Sequence, residues 1–248
     1  MIGRLTGKVA VITGASRGMG RSISAAFAAE GARVAMLARN VGELAEAAAQ
    51  TGENAFAFAC DVTDPERVRT VFAEIVSRLG GVDVLVNNAA IANPQLIEEA
   101  DDRLVRLEVD ANLLGPLYCM RAAIAAMRRR GGGDIVNISS ESTHTPYPYL
   151  ALYAATKSAL ETLSAALRVE LKGANIRVAV FRSGRVQGGF SRDWDPEMKQ
   201  RARQAAHDAG FYASSGEPIP PSVPAGAIVD LVLLNRAAHV DLIELRAV

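Results

Sequence analysis

Short apolar runs rich in β-branched residues alternate with stretches of helical periodicity along almost the whole chain. Val9–Thr13, Arg33–Ala38, Ala55–Cys60, Val82–Val86, Asp134–Ser139, Ile176–Phe181 and Leu242–Leu245 read as strands. Helices are predicted over Gly20–Glu30, Gly42–Gln50, Pro65–Leu79, Asp101–Arg129, Tyr149–Lys172 and Pro224–Asn235, with a kink or break at Gly115-Pro116. Runs such as Val84-Leu85-Val86 are apolar throughout rather than alternating, the pattern of strands covered on both faces. Strands that alternate with helices in this way build a doubly wound α/β domain: a parallel sheet of about seven strands, right-handed crossovers and helices on both sides. No linker or internal repeat interrupts residues 1–248, so one domain is expected.

Composition narrows what such a domain serves. Half of the 248 residues are hydrophobic, enough to bury a sizeable core. Acidic and basic residues balance at 27 each, without the basic excess of a nucleic-acid binder. No apolar run is long enough to span a membrane, and Met1–Leu5 lacks the apolar region of a signal peptide. The two cysteines, Cys60 and Cys119, sit in apolar contexts and read as buried free thiols of a cytoplasmic protein. His144, His207 and His239 have no metal-ligand spacing, so no metal is expected. Only four of the basic residues are lysines, which makes a lysine inside a motif informative.

The first strand runs into Thr13-Gly14-Ala15-Ser16-Arg17-Gly18-Met19-Gly20. Glycines at a strand-to-helix turn permit positive φ and let backbone N–H groups approach a pyrophosphate at the helix start. The spacing is G-x-x-x-G-x-G, a variant of the commoner G-x-G-x-x-G dinucleotide fingerprint. An acidic residue that would bind a ribose 2′-hydroxyl is expected at the end of strand two. Arg39 stands there instead, and Arg17 lies in the glycine turn. Two guanidiniums suit a 2′-phosphate, so NADP(H) is the expected cofactor.

A second group of motifs falls near the carboxyl ends of later strands. Tyr153 and Lys157 are four apart and share a helix face. A tyrosine is a poor base at neutral pH, and lowering its pKa by about three units takes roughly 4 kcal/mol of differential stabilisation. A neighbouring ammonium and an oxidised nicotinamide both work in that direction. Ser140 ends strand five thirteen residues earlier, Asn87-Asn88-Ala89-Ala90 ends strand four, and Asn112 lies within the following helical stretch.

In order and spacing, Thr13–Gly20, Asp61, Asn87–Ala90, Asn112, Ser140, Tyr153 and Lys157 resemble the motifs of the short-chain dehydrogenase/reductase family, from Leu5 to about Gly184. The resemblance implies a Rossmann-like fold and a homodimer or homotetramer, with the helices of Asp101–Arg129 and Tyr149–Lys172 pairing between subunits. It implies that Tyr153 is the general acid or base and that Ser140 hydrogen-bonds the reacting oxygen. Lys157 would hold the nicotinamide ribose and lower the Tyr153 pKa, and Asn112 would hold a water in a proton relay. Gly14, Ser16, Arg17, Gly18, Met19 and Gly20 would form the phosphate turn, Asp61 and Val62 would meet the adenine, and Asn88 would steady the turn and line the cofactor.

The chain departs from the family pattern in places. Ala90 stands where glycine is usual. In Arg182–Gly188, Ser183 replaces a proline and Gly188 a threonine, which leaves Gly184 and the Val186 backbone to hold the carboxamide, with Ser191 as a substitute hydroxyl. The C-terminus lacks the common glycine-rich ending. Glu141, directly after Ser140, either meets a polar substrate group or faces solvent. The irregular segment 187–217 holds Phe190, Trp194, Phe211 and Tyr212 and a short helix near Asp195–His207, and is expected to act as a substrate lid.

The expected function is NADP(H)-dependent interconversion of a ketone or aldehyde and an alcohol, with a small carbonyl or alcohol as partner and neither nucleic acid nor membrane. An NAD-linked alcohol dehydrogenase is the alternative within the fold, and a non-catalytic cofactor-binding regulator the alternative outside it.

Overall fold

A computed structural model describes residues 3–211 and 217–247. Seven strands form one parallel sheet in the order β3-β2-β1-β4-β5-β6-β7. They are β1 (Val9–Thr13), β2 (Arg33–Ala38), β3 (Ala55–Ala59), β4 (Val84–Asn87), β5 (Gly133–Ser140), β6 (Ile176–Ser183) and β7 (Leu242–Leu245). The helices are α1 (Gly18–Ala29), α2 (Val41–Thr51), α3 (Pro65–Leu79), α4 (Asp102–Val109), α5 (Gly115–Arg129), α6 (Ala151–Glu170), α7 (Pro196–Asp208) and α8 (Ser222–Leu233). The doubly wound sheet expected from the sequence is present, with element ends moved by a few residues. Tyr212, expected within the lid, lies outside the described residues.

Both faces of the sheet are covered, which explains the unbroken apolar runs. On one side Ala10 and Ile12 of β1 meet Ile23 and Phe27 of α1, Leu44 of α2 and Ile228 of α8. On the other, Val9 and Val11 of the same strand meet Phe72 and Ile75 of α3, Met120 of α5 and Leu160 of α6. The period of two along β1 thus feeds two cores. Cys60 and Cys119 are free thiols buried in the second. Helix starts follow local chemistry. Asp64 caps α3 by accepting from the backbone N–H groups of Glu66 and Arg67, with Pro65 next. Asp195 and Pro196 repeat the device at α7.

The break expected at Gly115-Pro116 takes a specific form. Between α4 and α5 the chain keeps helical dihedrals but widens into a π turn over Asp110–Leu114, in which the Gly115 N–H donates to the Asp110 carbonyl. Pro116 has no N–H to offer the carbonyl four residues back, that of Asn112, so a regular α turn cannot close there. Gly115 fits because a Cβ at that position would lie 2.8 Å from Val62 Cγ2.

The two edges of the sheet differ. At the amino edge Asp83, buried, accepts from the Val9 N–H at 2.9 Å and from the Arg130 guanidinium at 2.9 Å, which closes that end. At the carboxyl edge the order reverses between β1 and β4 and opens a crevice, where ligands of doubly wound folds sit.

Candidate active site

The crevice is built on a knot between β1 and the end of β4. The Thr13 hydroxyl accepts from the backbone N–H groups of Asn88 and Ala89, both at 3.0 Å. The Asn88 amide donates back to the carbonyls of Thr13 at 2.9 Å and Gly14 at 3.3 Å. The glycine turn lies against this knot. Gly14 and Gly18 have φ of +65° and +54°, and a Cβ on Gly20 would stand 2.3 Å from the Gly14 carbonyl oxygen. Glycine is required at all three positions, and the N-terminus of α1 faces the space above them.

On the other side of the crevice Ser140 ends β5 and Tyr153 and Lys157 lie on α6. The phenol of Tyr153 hydrogen-bonds the Ser140 side chain. Lys157 is 2% exposed, and its Nζ donates to the Ile138 carbonyl at 2.8 Å and stands 5.7 Å from the Tyr153 ring centroid. The lowered phenol pKa expected from Lys157 is absent in this arrangement. Burial pushes the Tyr153 phenol upward, the Ser140 hydrogen bond opposes the rise, and the Glu108 carboxylate adds to it. Burial also pulls the Lys157 ammonium down to about 8, against the raising effect of Glu108.

Asn112, fully buried in the π turn, commits its amide to the protein. Oδ1 accepts from the Ile91 N–H at 2.9 Å, while Nδ2 donates to the Ile91 carbonyl at 2.8 Å and to Thr156 Oγ1 at 3.2 Å. It therefore straps the segment after β4 to α6 beside Lys157. Sequence reasoning missed Glu108, four residues earlier on the same side of the helix. This carboxylate is 1% exposed and accepts from the Asn93 backbone N–H at 3.0 Å. The available signal was an acidic residue one turn before Asn112 in an otherwise inward-facing position. Burial raises the Glu108 pKa, the Asn93 contacts lower it, and Lys157 lowers it further.

A cleft of about 990 Å³ connects the two sides. Gly14, Ser16, Arg17, Gly18, Met19, Gly20, Arg39, Asp61, Val62, Asn88, Ser140, Tyr153, Lys157, Gly184 and Val186 all line it, whereas Asn112 lies behind its wall. The two arginines are not equivalent. Arg39 is exposed at the rim and makes no hydrogen bond or ion pair among the described residues, while the Arg17 guanidinium is paired with Asp193. Arg192 of the same segment reaches Glu43 on α2 at 3.1 Å. Asp61 spends Oδ1 on the backbone N–H and hydroxyl of Thr63. Val186 forms an isolated parallel bridge with Ile219.

The aromatic residues of 187–211 meet aromatic rings at the cleft, although Phe190 stays exposed on its other side. The Phe190 ring lies 5.3 Å from that of Tyr153 and 6.0 Å from Trp194, and Phe211 meets Tyr147 at 4.4 Å. Ala92, Leu150 and Tyr153 form a small apolar cluster, against which Ala90, Tyr147 and Trp194 pack.

The burial of Lys157 has a measurable consequence. In the unfolded chain its amine keeps a pKa near 10.4. Between about pH 8 and that value the unfolded state binds the proton and the folded state does not, so Lys157 makes folding more favourable as pH rises. The stability of the wild type relative to Lys157→Met, from urea denaturation of the cofactor-free protein, should improve by on the order of 2 kcal/mol between about pH 7 and about pH 10. A difference that does not change with pH would contradict a buried ammonium of low pKa.

Comparison with known proteins identifies the family. The family model for short chain dehydrogenases matches residues 8–199. Sorbitol dehydrogenase of Cereibacter sphaeroides is 36% identical over 197 residues, covering 77% of this chain and 74% of that protein. Galactitol 2-dehydrogenase of Agrobacterium fabrum is 38% identical over 176 residues, covering 70% and 69%. The structure of L-sorbose reductase from Gluconobacter frateurii, complexed with NADPH and L-sorbose, superimposes with a TM-score of 0.84 at 30% identity, over 99% of this chain and 97% of that one. With its glycine turn, its Ser140–Tyr153–Lys157 edge and these likenesses, the chain belongs to the short-chain dehydrogenase/reductase family.

Proposed function

We propose that this oxidoreductase uses NADP(H) to interconvert a small ketone or aldehyde and the corresponding alcohol. The observation that carries the reading is the meeting of the Ser140 and Tyr153 hydroxyls, beside the Lys157 ammonium, in the same cleft as the glycine turn. Two hydroxyl donors aimed at one point suit the oxygen of a carbonyl that is gaining negative charge. The relatives, a sorbitol dehydrogenase, a galactitol 2-dehydrogenase and an L-sorbose reductase, support the same chemistry.

The residues present fit the cofactor. Without side chains at Gly14 and Gly20, whose Cβ atoms would collide with Ala89 Cα and the Gly14 carbonyl, the turn lies flat against the Thr13–Asn88 knot and keeps its backbone open to a pyrophosphate, and Arg39 at the rim, without a partner among the described residues, suits a 2′-phosphate. When bound, the nicotinamide supplies or accepts the hydride. The chain does the rest. Ser140 holds the substrate oxygen, and Tyr153, kept protonated by burial, donates its proton during reduction. Lys157 leaves the Ile138 carbonyl to hold the nicotinamide ribose and bring its charge to bear on the phenol. Asn112 steadies this group, and its backbone carbonyl, which Pro116 cannot bond, is the acceptor for a relay water. Gly184 and the Val186 backbone hold the carboxamide, Asp61 and Val62 border the adenine, and segment 187–217 is the lid over the single catalytic domain, excluding water during transfer.

One observation favours the NAD(H) alternative: the Arg17 guanidinium is already paired with Asp193. Arg39 then decides the preference. Arg39→Asp should move the ratio of kcat/KM for NADPH over NADH toward NADH by about 10- to 100-fold, the worth of a charged hydrogen bond. A wild type that already prefers NADH removes the NADP(H) assignment.

Tyr153→Phe should retain cofactor binding and lose about 10²–10⁴ in turnover, the usual contribution of a general acid. Turnover at the wild-type rate would mean that another group supplies the proton.

We also infer a homodimer or homotetramer joined through α5 and α6, supported by Leu117 and Val169, which expose apolar side chains on these helices. Light scattering at micromolar concentration checks this, and a clean monomer overturns it.

A further inference from the structure

The wall of the cleft beyond the Ser140 hydroxyl carries polar groups that the protein leaves without partners. Glu141 and Ser142 follow Ser140 in a short 3₁₀ turn, Glu141–Thr143, and both line the cleft. The Ser142 hydroxyl is on a residue only 5% exposed and has no hydrogen-bond partner among the described residues. The Glu141 carboxylate is half-buried and makes no hydrogen bond or ion pair among the described residues. It lies so close over Gly184 that a Cβ there would be 3.1 Å from its Oε2. Trp194 lines the same cleft, and its buried indole N–H also has no partner among the described residues. The Trp194 ring stacks edge-on to Phe190, which in turn contacts Tyr153, so the indole is one side chain away from the catalytic phenol.

Buried polar groups are normally satisfied, and a group left bare is costly. Here an acceptor, a donor and a hydroxyl able to do both belong to residues that line one cleft with Ser140 and Tyr153. A carboxylate there accepts hydroxyl protons and repels a carboxylate or phosphate, and an indole N–H donates to a hydroxyl oxygen. Aromatic faces beside them suit the C–H surface of a carbon chain that carries hydroxyls on its edges. Burial raises the Glu141 pKa, and Arg246, Arg185 and His144 oppose the rise while Glu244 adds to it, so its surroundings include cations without an ion pair to consume it.

Resting on the oxidoreductase reading above, we propose that the substrate is a neutral polyhydroxylated ketone or its polyol, with hydroxyls on the carbons flanking the reacting one received by Glu141, Ser142 and the Trp194 N–H. These three residues are specificity-determining; the hydride and proton chemistry stays with Ser140, Tyr153 and Lys157. A site built to hydrogen-bond a substrate hydroxyl rejects the analogue lacking it far more strongly than an apolar pocket rejects a changed methylene, because its own polar groups are then left unpaired.

The test compares three four-carbon carbonyl compounds with NADPH: erythrulose, its deoxy counterpart butan-2-one, and the charged 2-oxobutanoate. Butane-2,3-dione, an activated ketone without hydroxyls, is the control for reductase activity itself. The wild type should favour erythrulose over butan-2-one by at least about 100-fold in kcat/KM and should discriminate against 2-oxobutanoate. Glu141→Leu and Ser142→Ala should each narrow the erythrulose preference by about 10-fold or more, mainly through KM, whereas Glu141→Gln, which can still hydrogen-bond a hydroxyl, should narrow it less.

A second readout does not depend on turnover. Trp194 is the only tryptophan in the chain, so its fluorescence reports the wall directly. Titration of the NADP⁺-loaded protein with erythritol should change it saturably, and butan-2-ol at the same concentrations should not. Activity on butane-2,3-dione with no erythrulose preference, or a preference untouched by Glu141→Leu and Ser142→Ala, would overturn the substrate class and leave the oxidoreductase reading standing. No oxidation of NADPH with any of the four compounds would overturn that reading, and the substrate class with it.

Discussion

Everything at the carboxyl edge depends on the knot that ties Thr13 to Asn88. A parallel sheet covered on both faces has no free side on which to build a site, so chemistry is confined to its ends. At the one place where the strand order reverses, the segments that leave the paired strands β1 and β4 must diverge and still hold a fixed distance. Four hydrogen bonds, two accepted by the Thr13 hydroxyl and two donated by the Asn88 amide, hold it. The glycine turn rests on one side of this knot. The segment carrying Ala89 to Asn93, which packs against Tyr153 through Ala92, leaves from the other. A phosphate-binding turn and a proton donor, far apart in the chain, are thereby set in one frame.

The site is also a place where charge has been taken out of water. Lys157 and Glu108 are both almost completely buried, and each is felt by the other. Neither makes a direct ion pair. Lys157 is held by a backbone carbonyl and Glu108 by Asn93, so their attraction acts without a shared hydrogen bond. Buried charges so arranged contribute little net stability, and the Glu108 carboxylate adds to the upward push that burial gives the Tyr153 phenol.

Much of this was legible from residues alone. The glycines of the turn, Ser140, and the Tyr153–Lys157 pair are local patterns whose spacing maps directly onto a turn, a strand end and a helix face. The alternation of strands and helices gave the layer order because apolar runs without a polar face demand cover on both sides. What stayed hidden joins residues that sequence does not bring together. Arg17 meets Asp193 across 176 positions, so its pairing could not be read from the glycine turn in which it sits. Glu108 holds Asn93 through a loop that has no periodicity to reveal its course. The phenol pKa was expected to fall because a lysine is close by; burial, which depends on everything packed around the ring, outweighs that proximity.

The π turn before α5 carries a consequence of another kind. Each residue added to a regular helix advances it by about 100° and 1.5 Å. The wide turn over Asp110–Leu114 takes up one more residue than an α turn does, and so sets the phase at which α5 leaves. That phase directs Cys119, Met120, Ala123 and Met127 onto the sheet. Shortening the turn by one residue would swing the whole face of α5 by more than a quarter of a revolution, away from the core. At this point the chain is constrained by how many residues it has as well as by which ones: substitutions are absorbed locally, whereas a change in count propagates through fifteen residues of helix.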